Sequence, residues 1–145
     1  MDNVSIVLNH FPNLSPDEIA LLKRLGELID EWNLKINLVS RKDIANLYLH
    51  HVLHSLAIAR FTTFANGSRI LDFGTGGGFP GLPLAILFPN VSFHLVDSNA
   101  KKIRTTETIV SALKLENVVC TWSRGENVDE KFDFIVGRGV VRLPF

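Results

Sequence analysis

Apolar residues in the first third of the chain recur every three or four positions. Leu21, Leu22, Leu25, Leu28, Ile29 and Trp32 follow Ser15-Pro16-Asp17-Glu18, a capping box with proline at the first helical position. This pattern predicts an amphipathic helix. A second helix is predicted with Ser40 as its cap and Ile44, Leu47, Tyr48, Val52, Leu56 and Ala59 along one side. Residues 32–39, WNLKINLV, form a less regular apolar connection between the two. From Asn66-Gly67 onward the period shortens. Short apolar runs at 69–73, 92–96, 117–122 and 132–136 predict strands, and helical stretches near 81–88 and 100–115 separate the first three. Such alternation implies parallel βαβ units, and right-handed crossovers order the first three strands 3-2-1. The fourth strand is expected beside the first, giving 3-2-1-4. The expected fold is therefore α/β: a Rossmann-like core over residues 66–145 with a helical cap over residues 1–65. No internal repeat or low-complexity segment interrupts it.

Composition narrows the picture a little. A chain of 145 residues is long enough to bury one domain's core. Lys+Arg and Asp+Glu both number 15, so no global field draws the chain to nucleic acid or membrane, although a local basic face would suffice for RNA. The single Cys120 cannot form an internal disulfide and reads as a small core residue in a strand. No signal peptide or long apolar span is visible, and a reduced, cytoplasmic setting is expected.

The segment ILDFGTGGGFPGLP, residues 70–83, carries the chemistry. A strand ends in Asp72, turns through Gly74, Gly76 and Gly78, and enters a helix with Pro80 and Pro83 near its start. Glycines allow a tight turn and close approach of a ligand to the backbone. Gly76, Gly78 and Gly81 satisfy the dinucleotide spacing G-x-G-x-x-G, which alone is a weak signal. Charge separates the candidate cofactors. Asp72 would repel a dinucleotide's pyrophosphate but tolerates the sulfonium and ammonium of S-adenosylmethionine, and the two prolines remove amide donors an anion would use. S-adenosylmethionine is favoured over NAD. Asp97 ends the second strand about twenty residues past the loop, where an acid accepts hydrogen bonds from ribose hydroxyls; it is also placed to cap the next helix with Ser98 and Asn99.

The combination LDFGTGGGFPGLPLA, LVDSNAKK, LKLENV, SRGE and FDFIVGRG resembles the RsmG family, also called glucose-inhibited division protein B. These are bacterial methyltransferases acting on guanine N7 in ribosomal RNA of the small subunit. WNLKINLV and HHVLHSL resemble the family's W-N-x-x-x-N-L and R-H-x-x-D-S-L segments, so the likeness covers nearly the whole chain. It implies an S-adenosylmethionine-dependent enzyme that methylates 16S rRNA. It also implies that Gly74 and Phe79 line the cofactor, that Gly125 and Glu126 flank its adenine end, and that Arg138 lies at the active centre. Three departures stand out: Gly137-Arg138-Gly139 replaces Ser-Arg-Ala, His54 replaces the family's acid, and His50 its leading arginine. A sheet of this kind has seven strands, whereas the sequence given stops at Phe145 after the fourth. An apolar fourth strand left at an edge would invite self-association.

Guanine N7 offers an in-plane lone pair and no proton, so no general base is required and no catalytic acid–base pair is nominated. Proximity and in-line orientation would supply the rate, an effect worth about 7–11 kcal/mol. His51 and His54 lie three apart on a predicted helix without ligands to complete a metal set, and read as helix-surface or RNA-contacting residues. No metal is expected. Lys101, Lys102 and Arg104, with Lys114, Lys35, Arg41 and Lys42, are the candidate phosphate contacts. Two alternatives stay open: a methyltransferase acting on a small molecule, and a shortened, catalytically weak S-adenosylmethionine-binding or interaction module.

Overall fold

The computed structural model describes residues 3–124 and 131–137. The chain begins with α1 (Ser5–His10) and α2 (Pro16–Asn33). The predicted box caps α2: the Ser15 hydroxyl accepts from the Glu18 amide at 3.1 Å, and the Glu18 carboxylate accepts from the Ser15 amide at 2.8 Å. Leu22, Leu25, Leu28 and Ile29 are buried along its inner side.

The second predicted helix is not continuous. Ser40 does cap, accepting from the Asp43 amide at 3.2 Å, but the helix it opens, α3 (Arg41–Ile44), ends after one turn. A π-helical turn follows over Tyr48–Leu53, then α4 (His54–Leu56) and α5 (Ile58–Phe61). Two interactions fix this stretch. The Tyr48 hydroxyl reaches back to the carbonyls of Leu22 and Lys23 at 3.0 and 3.3 Å, tying the π-turn to α2. The Ser55 hydroxyl donates to the His51 carbonyl at 2.5 Å, a local bond that competes with the helical ladder.

The second half follows the expected alternation: β1 (Arg69–Phe73), α6 (Gly81–Leu87), β2 (Ser92–Asp97), α7 (Ala100–Leu113), β3 (Val118–Trp122) and β4 (Phe134–Val136). All pairings are parallel and the order is β3-β2-β1-β4, as the crossover rule requires. Strand ends shift by at most two residues for identifiable reasons. Asn117 is spent on a clamp, its side-chain amide donating to the carbonyls of Ala85, Phe88 and Val91 at 3.0–3.1 Å. Phe132 lies beneath the Arg69 guanidinium, 5.1 Å from the ring centre, before β4 starts.

One apolar cluster runs from Val4 and Val7 through α2 and the π-turn to Phe93, Ile109 and Val118. Phe64 joins its parts, meeting Phe88, Phe93 and Phe134 edge-on at 5.1, 6.5 and 5.0 Å. Val119, Trp122, Phe134 and Ile135 remain exposed. Cys120 is a partly buried strand residue whose thiol is pushed up to about 12, by burial first and then by the charges of Glu107 and Asp72, so it stays protonated.

Gly26 is the tight point between α2 and the π-turn, since a Cβ there would run into the Tyr48 hydroxyl. Gly26→Ala is expected to destabilise the fold by about 1–3 kcal/mol through overpacking, read as a lower midpoint in urea unfolding. An unchanged midpoint would mean that Tyr48 moves aside freely.

Candidate functional site

The site is built where β1 and β2 end. Asp72 is fully buried beneath the glycine loop. Its Oδ2 accepts from the Thr75 hydroxyl at 2.7 Å and from the Gly81 amide, the first residue of α6, at 2.8 Å. One carboxylate oxygen thus ties the start of the loop to the start of the following helix. A Cβ on Gly81 would stand 2.8 Å from that oxygen and 2.7 Å from Leu95 Cδ1, which explains the glycine.

Asp97 braces the loop from the neighbouring strand. Its Oδ2 accepts from the Gly76 amide at 2.8 Å, and its Oδ1 from the Asn99 amide at 2.8 Å. The cap of α7 itself is Asn99, whose side chain accepts from the Lys102 amide at 3.1 Å. The Gly74 and Thr75 amides donate to the Val96 carbonyl at 2.9 and 3.0 Å. Gly76 has φ +58°, and nothing lies within 4 Å of where its Cβ would be, so the loop's outer side faces open space.

Two clefts meet at Gly74. The first, about 960 Å³, is bounded by Gly74, Asp97, Ser98, Trp122 and Arg124. Its rim is stiffened where the Trp122 indole N–H donates to the Ser98 carbonyl at 2.8 Å. The second, about 570 Å³, lies between the loop and the helical segment, against Leu38, Val39, His51, His54 and Phe79. Asn33 shapes that wall: its side-chain oxygen accepts from the Leu38 and Val39 amides at 2.8 and 3.0 Å.

The sequence candidates divide accordingly. Gly74 borders both clefts, Asp97 the first, and Gly76 and Phe79 the second. Asp72 and Gly78 line neither; Asp72 lies below the loop, and Gly78 packs so closely on Leu82 that a Cβ would clash. Gly125, Glu126 and Arg138 lie outside the described residues. Lys101, Lys102 and Arg104 sit on the first turns of α7 and border neither cleft. Ser98, Trp122 and Arg124 were not singled out from sequence as cleft residues, although ends of parallel strands are where ligands bind and Trp122 ends β3.

His51 is not a surface histidine. Its side chain is 13% exposed, and its ring lies 5.2 Å from that of Phe79. Asp43 reaches two neighbouring imidazoles in the π-turn, with Oδ1 2.9 Å from His50 Nδ1 and Oδ2 3.3 Å from His51 Nε2. The hydrogen bond from His50, then that from Ser40, lower the Asp43 carboxyl from 3.8 to about 2. Among the described residues, no group of three or more His, Cys, Asp or Glu side chains could hold a metal, and no helix is long and apolar enough to cross a membrane.

Comparison with known proteins places the chain. The model of the family described as GidB, rRNA small subunit methyltransferase G, matches residues 18–144. The chain belongs to this family. It is 54% identical over 138 residues to ribosomal RNA small subunit methyltransferase G of Porphyromonas gingivalis, covering 95% of this chain and 62% of that protein. The counterpart from Bacteroides fragilis strain YCH46 is 51% identical over 142 residues, covering 98% and 63%. The chain therefore spans less than two thirds of the length of these methyltransferase G relatives. Among solved structures, coclaurine N-methyltransferase matches with a TM-score of 0.60 at 14% identity, over 91% of this chain and 45% of that one. A Plasmodium falciparum protein described as a putative protein-L-isoaspartate O-methyltransferase matches with a TM-score of 0.59 at 18% identity, over 99% and 77%. These two likenesses concern the fold alone.

Removing the Asp72 carboxylate leaves a buried hydroxyl and a buried amide without their acceptor. Asp72→Ala is expected to lower unfolding free energy by about 1–3 kcal/mol for each donor so orphaned. Chemical denaturation measures this, and a loss below ~0.5 kcal/mol would contradict the anchoring role.

Asp43 titrates lower folded than unfolded, so its contribution is full above 3.8 and fades as pH falls toward about 2. Asp43→Asn is expected to flatten the loss of thermal stability between pH 4 and 2. Parallel melting curves of the two proteins across that window would contradict this.

Proposed function

We propose that this site transfers a methyl group from S-adenosylmethionine to N7 of a guanine in 16S rRNA of the small ribosomal subunit. The observation that carries the reading is the braced loop itself, in a chain of this family: Gly74 stands between two clefts, and Gly76 is held by Asp97 with open space above it. One cleft suits a cofactor's nucleoside, the other an acceptor base, and the methyl group would pass between them at Gly74.

The donor set fits the cofactor. The Asp97 oxygens each accept one backbone amide and keep lone pairs for ribose hydroxyls. Gly74 and Phe79 would border the sulfur end. By the resemblance, Gly125 and Glu126 would flank the adenine and Arg138 would stand near the reacting centre. S-adenosylmethionine supplies an activated methyl on a positively charged sulfur. The chain's own task is to align it with a lone pair and keep water out, with no proton to remove. Lys101, Lys102 and Arg104 present a basic edge for RNA phosphates. The reading also includes a cytoplasmic setting, a methyltransferase core over residues 66–145 behind a helical cap over residues 1–65, and self-association through the exposed side of β4, where Phe134 and Ile135 are 40 and 41% exposed.

Calorimetry with S-adenosylmethionine and with NAD, followed by methyl transfer to small ribosomal subunits, tests the proposal. Binding of NAD alone would defeat the cofactor assignment. Binding of S-adenosylmethionine without transfer would favour a cofactor-binding module over an enzyme. Asp97→Ala removes both the loop brace and the ribose acceptor, and is expected to weaken cofactor binding by at least about 1–3 kcal/mol. Unchanged affinity in the titration would sink the assignment of this acid.

A further inference from the structure

A third cleft, about 710 Å³, lies in the helical segment, between the end of α1 and the stretch from the π-turn to α5. Pockets for small organic groups run from about 300 to 1,000 Å³, so the size is suitable. The π-turn buries Tyr48 and Val52, and their neighbours Leu49 and Leu53 join Phe11 in an apolar lining. The ionisable side chains lining the cleft, among the described residues, are Arg60 and three histidines, with no carboxylate. Asp43, which pairs with His50, does not line it. Arg60 is held in place: its guanidinium lies 4.8 Å from the centre of the Phe11 ring and donates to the His10 carbonyl at the end of α1. That bond uses one of the five N–H donors of the fork. Next in the chain, Phe61 ends α5 and is 89% exposed, an apolar ring left open by the described residues. The cleft is not isolated. His54, which is exposed, borders both it and the second cleft, the one suited to the acceptor base.

Resting on the methyl-transfer reading, we propose that the third cleft holds a nucleotide of single-stranded RNA flanking the acceptor guanine, with its base stacked on Phe61 and its phosphate met by Arg60. Chemistry on a base requires taking it out of the stack, so the acceptor's neighbours lose a stacking partner as well. An exposed aromatic ring returns that stacking whatever the base, since every base has a π-face. A positive charge with no carboxylate competing for it suits the phosphate, and the guanidinium fork matches phosphate oxygens. The shared histidine supplies continuity: a strand that puts a guanine into the second cleft passes His54 into the third. An acidic peptide would answer the charge, but it has no reason to lie beside the acceptor cleft.

The test is binding of the full chain to a short, unstructured fluorescent RNA with one central guanine. Phe61→Ala is expected to weaken binding about 10-fold, the worth of one base stacked on an aromatic ring. The parent chain should lose a similar factor when the nucleotides flanking the guanine are made abasic. Phe61→Ala should then add little, because both changes remove the same contact. Arg60→Gln should flatten the slope of log affinity against log salt by about 0.7, the share of one phosphate on a single strand. Both variants should keep the parent's circular dichroism and its affinity for S-adenosylmethionine, since neither residue borders the first cleft. Phe61→Ala binding the RNA at parent strength would overturn the proposal. So would an equal loss on intact and abasic RNA, an unchanged salt slope in Arg60→Gln, or a parent chain that does not bind the RNA. A glutamate-rich peptide that binds more tightly than the RNA, and loses that affinity in Phe61→Ala, would assign the cleft to a protein and likewise reject it. A chain that shows the expected binding pattern yet methylates no small subunits counts against the reaction and not against the cleft.

Discussion

The site depends on a carboxyl group kept out of water. Asp72 is fully buried at the end of β1, and burying a carboxylate is costly unless donors meet it. Two do, the Thr75 hydroxyl and the Gly81 amide, and both belong to the segment that must turn sharply from strand to helix. The cost of burying this polar group thereby becomes a geometric demand: the loop between Gly74 and Gly81 has to close over Asp72. With the floor set in this way, the Asp97 brace on Gly76 fixes the side of the loop. The two clefts are the spaces these constraints leave on either side of Gly74.

The helical segment matters to the site through its backbone as much as its side chains. Tyr48 anchors the π-turn to α2, and Asn33 holds the Leu38 and Val39 amides at the far wall of the second cleft. Consecutive side chains on a regular α-helix point about 100° apart. In the wider turn over Tyr48–Leu53, His50 and His51 instead reach one carboxylate. Local departures of this kind are frequent at functional sites, because they aim side chains that a regular ladder would separate.

Much of this was legible in the residues themselves. The capping box at Ser15, the glycine turn and the alternation of apolar runs are local signals, each set by chemistry within a few positions. The parallel order followed from one chirality rule applied to those runs, and the family likeness lay in short contiguous stretches. The break in the second helix was not legible. Its apolar positions satisfy helical spacing throughout, and nothing in that spacing registers the tie from Tyr48 to α2, twenty-six residues away at Leu22.

What the amino-acid sequence determined by itself was the capped α2, the strand–helix alternation of the second half, the order of the strands in the sheet and the glycine turn, because periodicity, caps and glycines act over short range. Which acid is buried under the loop and which stands at a cleft was a different matter. Asp72 and Asp97 both end apolar strands, and both are plausible contacts on paper. Only folding brings the Gly81 amide above Asp72 and leaves Asp97 at the edge of an open cleft. His51 carries the same lesson: its burial is created by Asp43 and Phe79, which lie eight and twenty-eight positions away. The burial of a polar group depends on what packs over it, and that is decided in three dimensions.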